Sequence, residues 1–195
     1  MGYCFSFEDE ISHKSSPFPT SSSVKFSNLA SFSIVDCNLN GTFPKQIFQV
    51  PTLKTFDISY NELLDGSFPE FPPDSDLQSL VLYSTNFRGS LPASIGNLGQ
   101  LSRLDLGNFH FSGPLPKSFS KLTQLVYLDL SSNSFTGPLP SFHLFKNLTD
   151  LRLSHNGFTG PIPLAHWESF LNLVNVDLKN NSLNGNISSS MFAIT

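Results

Sequence analysis

Four aspartates carry the most suggestive chemistry in this 195-residue chain: Asp57, Asp105, Asp129 and Asp177 recur at one place in a repeated hexad. Paired carboxylates can divide acid and base roles when their environments push their pKa values apart. Successive rungs of a parallel sheet lie about 4.8 Å apart, within reach of such a pairing. The stronger reading is structural, because these aspartates return wherever the repeat returns. His13, His110, His143, His155 and His166 are scattered, with no Ser or Cys partner at a meaningful offset. There is no HExxH, phosphate-binding glycine loop or zinc spacing, so the sequence assigns no catalytic residue, no metal and no cofactor.

The elements that position these residues follow from an internal period. The stretch Leu53-Lys-Thr-Phe56-Asp-Ile58 is matched by hexads opening at Leu77, Leu101, Leu125, Leu148 and Leu173, with a weaker copy at Leu29. The spacing is 24 residues with one residue of slippage. Each unit continues to a glycine (Gly41, Gly66, Gly89, Gly113, Gly137, Gly160, Gly185), and in six of the seven a proline follows three residues later. Apolar residues alternating with polar ones predict a short strand with one buried face. So small a unit cannot bury that face alone, so neighbouring units must stack into a solenoid. Proline, lacking an N–H, belongs outside the strand ladder. Pairs such as Ile47 and Val50, Ile95 and Leu98, Phe119 and Leu122, and Met191 and Ile194 suit short helical turns on the convex side. Phe142, Phe145, Trp167 and Phe170 take that place in units whose spacing has slipped.

The eighth residue after each leading Leu forms a structural ladder: Cys37, Asn61, Thr85, Phe109, Asn133, Asn156 and Asn181. An asparagine amide there can donate to and accept from buried backbone. Cys and Thr replace it in part and Phe109 cannot donate, leaving backbone groups unsatisfied at about 1–3 kcal/mol each. A weak point is expected around residues 105–111, which Phe109→Asn would relieve.

With the strand leucines inward, the intervening residues form an inner surface. Its central column is Ser33, Asp57, Val81, Asp105, Asp129, Arg152 and Asp177, flanked by Arg103, Tyr127 and Asp150 on one side and Tyr83 on the other. Together with Tyr60 and His155 these supply Tyr and Arg, frequent interface anchors, so a ligand-binding role is expected for Asp57, Tyr60, Tyr83, Arg103, Asp105, Tyr127, Asp129, Asp150, Arg152, His155 and Asp177.

Composition narrows the partners. Charged residues make up 13% of the chain and the net charge is -4, with no basic block to follow a phosphate backbone, so nucleic acid is a poor partner. The two cysteines, Cys4 and Cys37, read as unrelated thiols. No stretch is long and apolar enough for a membrane helix, and Glu8, Asp9 and Glu10 interrupt any signal-peptide core. Met1 to Ser6 match a loose myristoylation pattern that chance readily produces. Sequons at Asn40, Asn147, Asn180 and Asn186 are candidate N-glycosylation sites.

The run Leu-x-x-Leu-x-Leu-x-x-Asn-x-Phe-x-Gly-x-Leu-Pro, from Leu125 through Pro140, resembles the plant-specific class of extracellular leucine-rich repeats. The segment from Cys37 to Pro73 is similar to receptor-like proteins of vascular wilt disease resistance. This resemblance implies an α/β solenoid, a right-handed leucine-rich-repeat superhelix of horseshoe arc with a parallel β-sheet on its concave face. It also implies a second small strand near Phe43, Phe68, Leu91, Leu115, Leu139, Ile162 and Ile187. Residues 24–195 would form about seven repeats, and residues 1–23 an atypical or disordered segment without a cap.

In function, the resemblance implies non-enzymatic recognition of a protein or peptide ligand, pathogen-derived or endogenous, with signalling through a co-receptor kinase. The parent receptor would sit at the plasma membrane with this region outside. The chain itself shows no signal peptide, paired-cysteine cap or transmembrane segment, and is expected to be a truncated or partial member. The alternative is a soluble inhibitor or decoy that binds a secreted pathogen hydrolase.

Overall fold

The computed structural model describes residues 16–17, 28–162 and 172–186. They form a solenoid with two parallel sheets. Seven three-residue strands build the concave sheet: β2 (Ser31–Ser33), β4 (Thr55–Asp57), β6 (Ser79–Val81), β8 (Arg103–Asp105), β10 (Tyr127–Asp129), β12 (Asp150–Arg152) and β14 (Asn175–Asp177). Each pairs in register with its neighbour one repeat away, so the repeat length alone sets the register.

The second sheet runs β1 (Ser16–Pro17), β3 (Leu39–Thr42), β5 (Asn61–Gly66), β7 (Thr85–Gly89), β9 (His110–Pro114), β11 (Ser134–Pro138), β13 (Gly157–Pro161) and β15 (Ser182–Asn184). These strands span the turn into the repeat glycine and end one or two residues before Phe43, Phe68, Leu91, Leu115, Leu139 and Ile162, beside the positions the family pattern implied. The ladder amides fix the backbone at the start of this segment. Ile187 lies outside the described residues. Within the segment 1–23, Ser16–Pro17 pair in parallel with Leu39–Asn40.

Convex connections are 3-10 turns at Lys45–Gln49, Ala93–Asn97 and Lys117–Lys121, each preceded by a proline (Pro44, Pro92, Pro116) whose locked φ and missing N–H suit that place. Ile47, Ile95 and Phe119 turn inward from them and are buried, as are Phe142 and Phe145. Trp167, Phe170, Met191 and Ile194 lie outside the described residues.

Between the sheets runs one continuous apolar core. Phe56, Leu80, Leu104, Leu128 and Leu151 enter it from the concave strands. Phe111, Phe135 and Phe158 stack from successive coils with ring centroids 6.1 Å apart. Burying each such side chain contributes about 1.5–3 kcal/mol.

The asparagine ladder ties coil to coil. Asn133 Nδ2 donates to Leu106 O at 2.7 Å, Leu130 O and Ser131 O, and its Oδ1 accepts from Phe111 N. Asn61, Asn156 and Asn181 repeat the pattern. Thr85 keeps only a local bond, its hydroxyl accepting from Phe87 N at 3.3 Å. Phe109 turns its ring onto Phe111 instead, with centroids 5.4 Å apart. The Leu82 carbonyl, which falls between these two substitutions, is the one such carbonyl among the described residues that receives no side-chain amide. The β7–β9 ladder there is reduced to Arg88↔His110 and Gly89↔Phe111.

Cys37 departs from the sequence reading. It is disulfide-bonded and not an unrelated thiol, so its sulfur has no proton with which to replace a ladder amide. What it gives the ladder is its backbone N–H, donated to Asn61 Oδ1 at 3.2 Å. Cys4 lies outside the described residues.

Candidate functional site

The concave strands carry their intervening side chains in straight rows. Ser33, Asp57, Val81, Asp105, Asp129, Arg152 and Asp177 stand in one register-matched row, and Thr55, Ser79, Arg103, Tyr127, Asp150 and Asn175 stand beside it. Tyr60 and His155 stand apart from the rows. They occupy the corner where the chain leaves the strand, with φ of 58° and 56°. The same corner has positive φ at Asp36, Ser84, Asn108, Ser132 and Asn180, so the left-handed turn belongs to the repeat whatever its side chain.

Not all of this face is solvated. Asp105 and Asp129 are buried, at 5% and 4% exposure, in contrast to half-exposed Asp57 and Asp177. Serines two residues on explain how a carboxylate tolerates this position. Asp129 Oδ1 accepts both the backbone N–H and the hydroxyl of Ser131, at 2.9 and 2.6 Å, and Asp57 is held likewise by Ser59. At Asp105 the corresponding residue is Gly107, so buried Oδ1 has no hydroxyl donor and only the Gly107 backbone N–H acts on this carboxylate from that side, while Oδ2 pairs with Arg103 at 2.7 Å. Burial first, then the Asp129 charge, push the Asp105 carboxyl above its ordinary range, with Arg103 opposing. A hydroxyl at 107 would have to share space with Tyr83, because a Cβ there would stand 3.2 Å from its ring and 3.1 Å from Asp129 Oδ1.

Tyr127 is the centre of the site. Arg103 lies over its ring at 4.1 Å and Arg152 at 5.5 Å, both in cation–π range. Its hydroxyl donates to Asp129 Oδ2 at 3.3 Å. Burial, followed by the charges of Asp105 and Asp129, raises its pKa to about 12. On the next rung Asp150 accepts from Asn175 at 2.7 Å and Thr149 at 2.8 Å, and these bonds hold its pKa below the usual carboxylate value. Lys179 pairs with Asp177 at 3.3 Å. Tyr60 and Tyr83 form a tilted pair with centroids 5.3 Å apart, and His155 Nδ1 lies 3.1 Å from Asn180 Nδ2. The result is a preorganised array of aromatic faces, guanidinium edges and fixed carboxylates.

Sequence reasoning overlooked three things here. The hydroxyls of Ser59 and Ser131 were visible as an Asp-x-Ser pattern, and Gly107 as its exception. Ser141 Oγ lies 2.8 Å from His143 Nδ1 on the exposed surface, so one histidine does have a nearby serine. That contact is local, across two residues. His13 and His166 lie outside the described residues. Among the described residues, no group of three His, Cys, Asp or Glu could hold a metal ion, and no helix is long and apolar enough to cross a membrane.

Of the sequon residues, Asn147 and Asn186 are exposed, Asn40 is half-buried in β3, and exposed Asn180 faces His155.

Comparison with known proteins agrees with this architecture. Family models described as leucine rich repeat match residues 75–135 and 147–167. Receptor-like protein 6 of Arabidopsis thaliana is 38% identical over 92 residues, covering 47% of this chain and 9% of that protein. The chain thus spans about a tenth of the length of this relative. Among solved structures, a TDR receptor has a TM-score of 0.77 at 34% identity, covering 84% of this chain and 28% of that one. The Arabidopsis receptor kinase HAESA ectodomain, in complex with an N-terminally extended IDA peptide hormone, has a TM-score of 0.69 at 30% identity, covering 80% and 26%. The ectodomain of the Arabidopsis receptor kinase SOBIR1 has a TM-score of 0.56 at 30% identity, covering 78% of this chain and 71% of that one. Seven register-matched rungs, an asparagine ladder and these likenesses place the chain in the plant leucine-rich-repeat receptor-like family.

Proposed function

We propose that the concave face is a non-enzymatic recognition surface for a protein or peptide ligand, with Tyr127 and its two arginines at its centre. The observation that carries this reading is the stacking of Arg103 and Arg152 on Tyr127, above carboxylates already fixed by the protein. Aromatic and guanidinium groups held in place before binding lose little side-chain entropy on contact, and such residues dominate interface energetics. The HAESA complex supports a peptide as occupant, since a related solenoid holds one.

The finer assignment follows the resemblance. In the parent protein this region faces the outside of the plasma membrane, perceives a ligand of pathogen origin and signals through a partner kinase. The similarity to Receptor-like protein 6 supports that setting. Exposed Asn147 is the sequon residue best presented for glycosylation.

Selection of peptides from a displayed random library on the full chain tests the reading. Binders should lose affinity about tenfold or more with Tyr127→Ala, as expected for an interface hot spot, and should be unaffected by Lys117→Ala on the convex side. Binders indifferent to Tyr127, Arg103 and Arg152 would overturn it.

A further inference from the structure

A second feature lies off the concave rows, at the corner where the ladder is interrupted. Two successive coils lack the ladder amide there, at Thr85 and Phe109, and the preceding coil carries an irregularity. The register between β5 and β7 shifts between Asn61 and Asp65, which pushes Glu62 and Leu63 outward; Leu63 is 57% exposed. Bulge and ladder gap together open a cleft of about 350 Å³ lined by Glu62, Ser84, Thr85, Asn86, Asn108, Phe109 and His110.

The lining is polar and one-sided in charge. It holds a carboxylate, two hydroxyls, two primary amides and an imidazole above the buried Phe109 ring, with no lysine or arginine. Glu62 forms no ion pair among the described residues, its nearest polar contact being the Ser84 hydroxyl at 3.5 Å. Asn108 Nδ2 reaches the same hydroxyl only at 3.5 Å, so the cleft's polar groups are loosely engaged with one another. The surrounding coils reinforce the sign: residues 28–89 carry seven carboxylates (Asp36, Asp57, Glu62, Asp65, Glu70, Asp74, Asp76) against Lys45, Lys54 and Arg88. A concave site in such a field concentrates cations.

We propose that this cleft binds the cationic side chain of a lysine or arginine presented by a protein partner, with Glu62 as its counter-charge. The Ser84 hydroxyl and the amide oxygens of Asn86 and Asn108 accept its remaining N–H groups. The site is independent of the concave-face reading, because none of its lining residues belongs to the strand rows.

The probe is the blocked tripeptide acetyl-Gly-Lys-Gly-amide, titrated into the full isotope-labelled chain at low salt, with acetyl-Gly-Gln-Gly-amide as the neutral control. Saturable amide shifts at Ser84, Asn86, Asn108 and His110 are expected with the lysine probe alone. Glu62→Gln should weaken that binding about two- to fivefold, the range for a solvent-accessible ion pair, and leave the rest of the spectrum unchanged. Equal binding of both probes, shifts that survive Glu62→Gln undiminished, shifts confined to the Asp57–Asp129 rows, or no shifts at all would each overturn the proposal. The last two outcomes leave the concave-face reading untouched.

Discussion

Asp129 Oδ1 accepts the Ser131 hydroxyl at 2.6 Å, a bond that neighbouring Asp105 has no partner to make because residue 107 is glycine. Burial and the Asp129 charge therefore raise the Asp105 pKa in the folded state. An acid whose pKa is raised on folding destabilises the fold when ionised, and that cost vanishes once pH falls below its unfolded value. Asp105→Asn should raise the melting temperature at pH 7, with the gain shrinking away below about pH 4, the ordinary aspartate range. A gain independent of pH would contradict this origin.

The ladder gap should be repairable at one position and not at the other. Thr85→Asn restores an amide between the Ile58 and Leu82 carbonyls and should stabilise the fold by about 1 kcal/mol. Phe109→Asn should instead destabilise by about 1–3 kcal/mol, because Phe109 is 6% exposed and packed on Phe111. This reverses the expectation from sequence, which could not weigh the ring's burial. Denaturant melts of the two variants decide it.

Gly66 has a backbone any residue could adopt, yet its missing side chain is required. A Cβ there would run into the buried ring of Phe87. Gly66→Ala should cost about 1–3 kcal/mol by overpacking, whereas Gly99→Ala, with nothing near its Cβ, should cost under about 1 kcal/mol. Equal effects in thermal melts would show that the ring yields freely.

Tyr127 should titrate at about 12, raised by burial and by the charges of Asp105 and Asp129. Ultraviolet absorbance of the phenolate reports this directly, and Tyr127→Phe should remove the component titrating at about 12. Its persistence in the variant would contradict the assignment to Tyr127.

Reduction should lower stability, since Cys37 is disulfide-bonded. A native disulfide commonly contributes about 2–4 kcal/mol. Melting temperatures with and without a thiol reductant measure it, and an unchanged value would mean the bond constrains little.

Much of the fold was legible because the repeat is a spacing rule. Leu53, Leu77, Leu101 and Leu125 announce the rungs, and equal spacing leaves one register, as Tyr127↔Arg103 and Leu128↔Leu104 show. The second strand came from the family resemblance alone, and it lies just ahead of Phe43 and Leu91 because the ladder amides that hold it act several positions earlier. The inner rows were legible residue by residue, but burial within them was not. Asp57 and Asp129 occupy identical repeat positions, and neighbouring side chains such as Tyr127 and Arg152 leave one half-exposed and the other buried. The cleft escaped notice because it arises from a register shift between Asn61 and Asp65 combined with two ladder substitutions, none of which signals a cavity alone.

The concave face as recognition surface is tested most directly by hydrogen–deuterium exchange of the full chain with and without a library-selected peptide. Protection should appear in β8, β10 and β12, around Arg103, Tyr127 and Arg152, and should disappear in Tyr127→Ala. Protection confined to the convex turns at Lys45–Gln49, Ala93–Asn97 and Lys117–Lys121 would contradict the account.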